Sequence, residues 1–279
     1  MPTVQTNEIE TYYVERGEGP PIIFVHAALV DHSMWTPQMD ALSDEYTTIA
    51  YDLRGHGRTG GSAVESYSAE LFADDLDAFI TALDIDRPVV CGHSLGGTVA
   101  QVYAARYPDR IAGLVLADTF TAETTDWRDR LSLRFLNAQI PLVRLFGLER
   151  TQRVGVWIQE RFNKDAGGEY GTIERLQAEM PPIPFDEFEK IVRAITGFPK
   201  STVDLGSISA PTLVMYGENT VGYVERQSKK MAAEIPDSSL TVVPGGGHAS
   251  NLDNPRFYSD AIDEFLSDRV YSDVVGTAA

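Results

Sequence analysis

The chain has 279 residues, 43% hydrophobic and 23% charged, enough for one large globular domain with a substantial core or for a core domain plus a cap. Its formal net charge of −18 repels nucleic-acid phosphate and anionic lipid, so neither nucleic acid nor membrane is an expected partner. The single cysteine, Cys91, excludes an internal disulfide and suits a cytoplasmic protein.

No apolar run approaches the roughly 20 residues of a membrane span. The opening Met1 to Glu8 has neither the basic nor the apolar region of a signal peptide, and the expected location is the cytoplasm. Lysine occurs only at positions 164, 190, 200, 229 and 230. Acid-rich, lysine-poor surfaces of this kind resemble those of proteins adapted to high salt, where screening removes self-repulsion. The melting temperature should therefore rise between low and multimolar KCl, and a flat or falling curve contradicts that reading.

In chain order, Glu10 to Arg16 alternates into an antiparallel edge strand, and Pro21 to Val25 and Thr47 to Leu53 read as further strands. A helix follows, with Leu71, Phe72, Leu76, Phe79, Ile80 and Leu83 as its buried stripe and Asp74, Asp75 and Asp77 expected on its solvent face. The apolar run Pro88 to Cys91 leads into Gly92-His93-Ser94-Leu95-Gly96, and a helical stretch from Gly97 to Ala105 follows. A G-x-S-x-G on a strand-to-helix turn lifts the serine hydroxyl clear of the sheet, above a helix N-terminus that favours developing negative charge. Ser94 is thus the candidate nucleophile. Cys91, on the strand entering the turn, reads as buried packing.

Leu114 to Ala117 is another strand, ending at Asp118. From about Phe120 to Ile208 the strand-helix rhythm stops, over a span too long for a structureless loop. Its apolar residues recur as in helices: Leu131, Phe135, Ile140, Leu142, Val143, Leu145 and Phe146, then Val154, Val156 and Trp157. Asp165 to Gly168 and Pro181 to Pro184 divide it into segments. This reads as a helical cap over Ser94 that excludes water and builds an apolar pocket. Its stretch Leu142 to Leu148 could touch a membrane, which the negative net charge opposes.

Leu213 to Tyr216 and Leu240 to Val243 complete the strands, and Asn254-Pro255 opens a last helix with Ala261, Ile262 and Phe265 facing inward. Of the five histidines only His248, in a glycine-rich loop after a strand, lies downstream of Ser94, as the order serine, acid, histidine on such a sheet requires. His248 is the candidate base. His93 reads as packing beside the turn, and His56 as holding a loop.

The chain resembles the α/β-hydrolase family over nearly its whole length, through Phe24-Val25-His26-Ala27-Ala28, Tyr51 to Gly57, Gly92 to Gly97, Leu114 to Asp118, Pro211 to Gly217 and Gly247-His248. The closest flavour is the small-molecule esterase and lactonase branch, including enol-lactone hydrolases and non-haem haloperoxidase-like esterases. The resemblance implies a mostly parallel eight-stranded sheet flanked by helices, with a core at 1–119 and 209–279 and a cap at 120–208. It implies a serine hydrolase acting on a small carboxylic ester or lactone, with backbone oxyanion donors at Ala28 and Leu95. No metal or organic cofactor is implied, and the oligomeric state stays open.

Two positions depart from the family pattern. Ala27 stands where a glycine is usual, a change that need not remove a backbone donor. Thr220 stands where the triad acid is usual, and a neutral threonine cannot support an imidazolium. Asp118, at a strand end facing the ligand crevice, is the first candidate to replace it and Glu218 the second. With no acid, the alternative is a hydrolase-like ligand-binding protein with weak or no turnover.

Overall fold

A computed structural model describes residues 2–123, 127–148, 150–151 and 170–271. Eight strands form one sheet: β1 (Thr3–Thr6), β2 (Ile9–Arg16), β3 (Pro21–Val25), β4 (Thr47–Tyr51), β5 (Val89–His93), β6 (Gly113–Ala117), β7 (Thr212–Gly217) and β8 (Ser238–Val243). Their order across the sheet is β1-β2-β4-β3-β5-β6-β7-β8. β1 and β2 are antiparallel to their neighbours and the rest run parallel. The short, polar β1 has no hydrophobic run of its own and exists by pairing with β2.

The central strands bury both faces, so they read as continuous apolar runs with a period of two between sides. Ile23, Val25, Val90, Leu114, Leu116 and Val214 pack toward one face, with residues of helices α2 (Ala69–Ala82) and α3 (Leu95–Arg106). Ile22, Phe24, Cys91, Val115, Ala117 and Met215 pack toward the other, with Met39 and Leu42 of α1 (Thr36–Leu42) and with residues near the end of the chain.

Helix α2 corrects one expectation. Asp75 is 3% exposed rather than on the solvent face. Arg54 donates to both of its carboxylate oxygens, at 2.8 and 2.6 Å, and Asn7 donates at 2.7 Å. A carboxylate at a buried helical position is tolerated because a guanidinium matches it in two hydrogen bonds. The period-3.6 pattern carried no sign of that distant partner.

Between β6 and β7 lie the helices α4 (Trp127–Phe146), α5 (Tyr170–Glu179) and α6 (Phe185–Gly197). Val143 joins Phe188 and Val192 in a separate small cluster, with Leu29, Leu136 and Ile140 against it. Other apolar residues of α4 face outward, Phe135 at 71% and Leu145 at 74% exposure. Val154, Val156, Trp157 and the segment Asp165 to Gly168 lie outside the described residues. α6 is held to the loop after β4: the buried Tyr67 hydroxyl donates to Glu187, and Lys190 reaches both Glu187 and the Ser62 carbonyl at 2.9 Å. No helix of the described residues is long and apolar enough to cross a membrane.

After β7 come α7 (Gly222–Glu234), and after β8 the one-turn α8 (Ser250–Asp253) and α9 (Pro255–Phe265). Asn254 caps α9 by accepting from the Phe257 N–H, and Pro255 occupies its first turn, as the sequence indicated.

Candidate active site

Ser94 sits between β5 and α3 with φ 51° and ψ −112°, a left-handed conformation that is strained for a residue with a side chain. Its neighbours make the turn possible. A Cβ on Gly92 would lie 2.3 Å from the Gly96 carbonyl oxygen, and one on Gly96 would lie 2.1 Å from that of Val25. Only glycine fits either place. The Ser94 N–H donates to the Ala117 carbonyl at 2.9 Å, and the Thr119 hydroxyl donates to the Ser94 carbonyl at 2.7 Å. The backbone is thereby held on both sides while the hydroxyl points outward.

His248 meets that hydroxyl, its Nε2 3.1 Å from Ser94 Oγ. The loop after β8 places it there by three contacts. His93 Nε2 lies 2.8 Å from the His248 carbonyl oxygen, the Gly247 N–H donates to Asp253 at 2.7 Å, and Gly217 leaves room for the Gly246 and Gly247 backbone. His93 is therefore an anchor of the His248 loop and not merely packing. Burial pushes its pKa down to about 3, so it is neutral and donates from Nε2. The His248 ring reaches solvent on one side, yet the protein around it lowers its pKa below 6.5 by desolvation, opposed by the charge of Asp253. The imidazole is therefore neutral at pH 7.

The two candidate acids are placed elsewhere. Asp118 is fully buried with φ 44°, accepting from the Gly217 N–H at 3.0 Å and from the Ser250 hydroxyl. Its carboxylate makes no hydrogen bond to His248, two residues before Ser250. Burial pushes the Asp118 pKa up to about 7, against the pull of those donors. Thr220 turns its buried hydroxyl toward Asp118 without a close bond. Glu218 accepts from the Gly245 N–H at 2.9 Å and braces the turn before the histidine loop.

The expected oxyanion donors lie on two well-defined pieces of backbone. Leu95 is the first residue of α3, where no preceding turn supplies an acceptor for its N–H. Ala28 follows β3, and its N–H belongs to the same rigid peptide unit as the Ala27 carbonyl. His26 accepts the Leu53 N–H at Nε2, 2.9 Å, which fixes the proton on Nδ1, and Nδ1 donates to the Ala27 carbonyl at 2.7 Å. That peptide is trans, so the Ala28 N–H points to the opposite side of the unit. Ala27 in place of glycine leaves this donor intact.

His56 donates from Nδ1 toward the Arg54 carbonyl at 3.0 Å and holds its loop as the sequence suggested. The donor atoms of Asp31, His32 and Asp52 gather within 4.8 Å. They are occupied by internal hydrogen bonds: Asp31 accepts from the Ser33 N–H at 3.0 Å, and Asp52 accepts from the His32 N–H, His32 Nδ1 and the Arg58 N–H at 2.7 to 2.8 Å. This cluster pins the loop after β3 to the end of β4.

Sequence reasoning missed Ser250, Asp253 and the anchoring role of His93. The first two lie in the segment leading into Asn254-Pro255, where helix-start signals masked any other role. The bond from His93 to His248 spans 155 residues and leaves no local trace.

A family model described as "Alpha/beta hydrolase family" matches residues 22–261. The 2-(acetamidomethylene)succinate hydrolase of Mesorhizobium japonicum is 28% identical over 260 residues, covering 90% of each chain. Among solved structures, a thermophilic esterase from Thermogutta terrifontis is 29% identical with a TM-score of 0.78, covering 95% of this chain and 97% of that one. The enol-lactonase from Burkholderia xenovorans LB400 shares the fold with a TM-score of 0.79 at 23% identity, covering 96% of this chain and 100% of its own.

Proposed function

Because the chain belongs to the alpha/beta hydrolase family, we propose that it is a serine hydrolase that cleaves a small carboxylic ester or lactone through an acyl-enzyme. The observation that carries this reading is the 3.1 Å approach of His248 Nε2 to the hydroxyl of a serine held at φ 51° on a strand-helix turn. Related proteins named as an esterase and an enol-lactonase support the substrate class.

His248 takes the Ser94 proton as Oγ attacks the substrate carbonyl carbon, and the N–H groups of Ala28 and Leu95 hold the oxyanion. Collapse of the tetrahedral intermediate breaks the ester C–O bond, and the imidazolium returns its proton to the leaving alkoxide. Water, deprotonated by the same histidine, then attacks the acyl carbon and frees the acid and Ser94. Asp118 serves this chemistry as a positioning residue, fixing Ser250 and with it the turn that carries His248. A cytoplasmic location belongs to the same proposal, supported by the buried free thiol of Cys91.

A panel of nitrophenyl esters and lactones, assayed for kcat/KM against pH, tests the reading. The desolvated His248 must be neutral to act, so kcat/KM should fall on acidification with a midpoint below 6.5 and stay level above it up to pH 8. A midpoint above 7 contradicts the desolvation of His248, and a profile unchanged in His248→Ala removes it as the base. Absence of turnover across the panel favours the second reading, a ligand-binding protein of hydrolase fold. That reading draws on one observation: Asp118 and Glu218 accept from backbone and hydroxyl donors and neither is hydrogen-bonded to the imidazole.

A further inference from the structure

The peptide carrying the Ala28 N–H is gripped from below by His26, and the residue after it is gripped from above. Leu29 has φ 62°, a left-handed conformation disfavoured for a branched side chain and kept only where surrounding contacts determine it. Its carbonyl accepts a hydrogen bond at 3.0 Å from Nε2 of Gln177, which lies 148 residues further along on α5. Ile173 and Leu176 of the same helix pack against the buried cluster that Ala27 also joins. Leu29 in turn packs against both the main core and the small cluster formed by Val143, Phe188 and Val192.

We propose that Gln177 is a positioning residue for the oxyanion hole: its amide holds the Leu29 carbonyl, keeps the Ala27 to Leu29 turn in its strained form, and so makes the aim of the Ala28 N–H depend on the docked cap. The inference rests on the serine-hydrolase reading above. A hydrogen bond to the carbonyl of residue 29 is well placed to matter there, because the only free rotations between it and the Ala28 N–H are those at Ala28 and Leu29. Losing it lets Leu29 relax toward negative φ, which turns the donor. Oxyanion donors act only on charge that develops in the transition state, so the expected loss lies in turnover and not in binding.

The test uses the full chain and three forms, wild type, Gln177→Met and Gln177→Lys. Methionine keeps the length without a donor, and lysine restores one. With nitrophenyl acetate, Gln177→Met should lose about tenfold in kcat with KM within about twofold, a fraction of the loss when an oxyanion donor is removed outright. Its affinity for an aryl trifluoromethyl ketone, which adds to the serine as a tetrahedral oxyanion, should fall by the same factor, and Gln177→Lys should recover most of both. Unchanged kcat in Gln177→Met, or a loss that follows melting temperature and is not rescued by lysine, overturns the role of Gln177 alone. A wild type that neither hydrolyses esters nor captures the ketone overturns the hydrolase reading and this inference with it.

Discussion

Asp118→Ala is expected to cost about 2 to 5 kcal/mol of stability, since it leaves the Gly217 N–H and the Ser250 hydroxyl without their buried partner. It should also lower kcat by about a hundredfold through displacement of the His248 turn. Asp118→Asn should be far milder on both counts. Its Oδ1 accepts from the Gly217 N–H, and its Nδ2 donates to Ser250 Oγ, so the same two anchors survive. The pH dependence separates the variants further. The folded carboxyl has a pKa raised to about 7, so the stability it lends is complete below its unfolded value near 3.8 and is lost as pH rises through 7. Asparagine has no such titration, and thermal melts should show Asp118→Asn gaining on the wild type between pH 4 and 7. If Asp118→Asn instead loses several orders of magnitude in kcat with its melting temperature intact, the carboxylate charge acts on the imidazole itself.

Most of the sheet and the Gly92 to Gly96 turn were legible in the sequence because they rest on local rules. Val89 to Cys91 is apolar throughout since both of its faces are covered, and Gly92 and Gly96 mark close backbone approaches that admit no Cβ. The approach of His248 to Ser94 was legible by elimination and by chain order. What escaped was the polar interior. The partners of Asp75 and Asp118 lie on other elements, and burial of a carboxylate is decided by those partners and not by helical or strand period. The strand end at Asp118 suggested a ligand-facing acid, but its left-handed φ aims the carboxylate at Gly217 and Ser250. Strain of this kind has no signature in residue identity when the residue is not glycine. The cap was legible as helical, whereas the bond from Gln177 to the Leu29 carbonyl comes from a side chain whose sequence context is an ordinary amphipathic helix.

The second large effect concerns Ser94 and His248, which the proposed mechanism makes act as a unit. Ser94→Ala and His248→Ala should each lower kcat by about 10⁴ to 10⁶, and the double variant should be no worse than either alone, because each already removes the serine nucleophile's path. Hydrolysis that persists would then come from the oxyanion donors and binding alone. In the proposed mechanism the Ser94 oxygen becomes covalently bonded to the acyl carbon. A fluorophosphonate reports that chemistry directly, since only an activated serine displaces its fluoride. Intact-mass and peptide mapping after exposure of the wild type, Ser94→Ala and His248→Ala to the probe should show one adduct on Ser94 in the wild type. Ser94→Ala should show none, and His248→Ala should label much more slowly. An unlabelled wild type, an adduct on another residue, or equal labelling of Ser94→Ala would contradict the account.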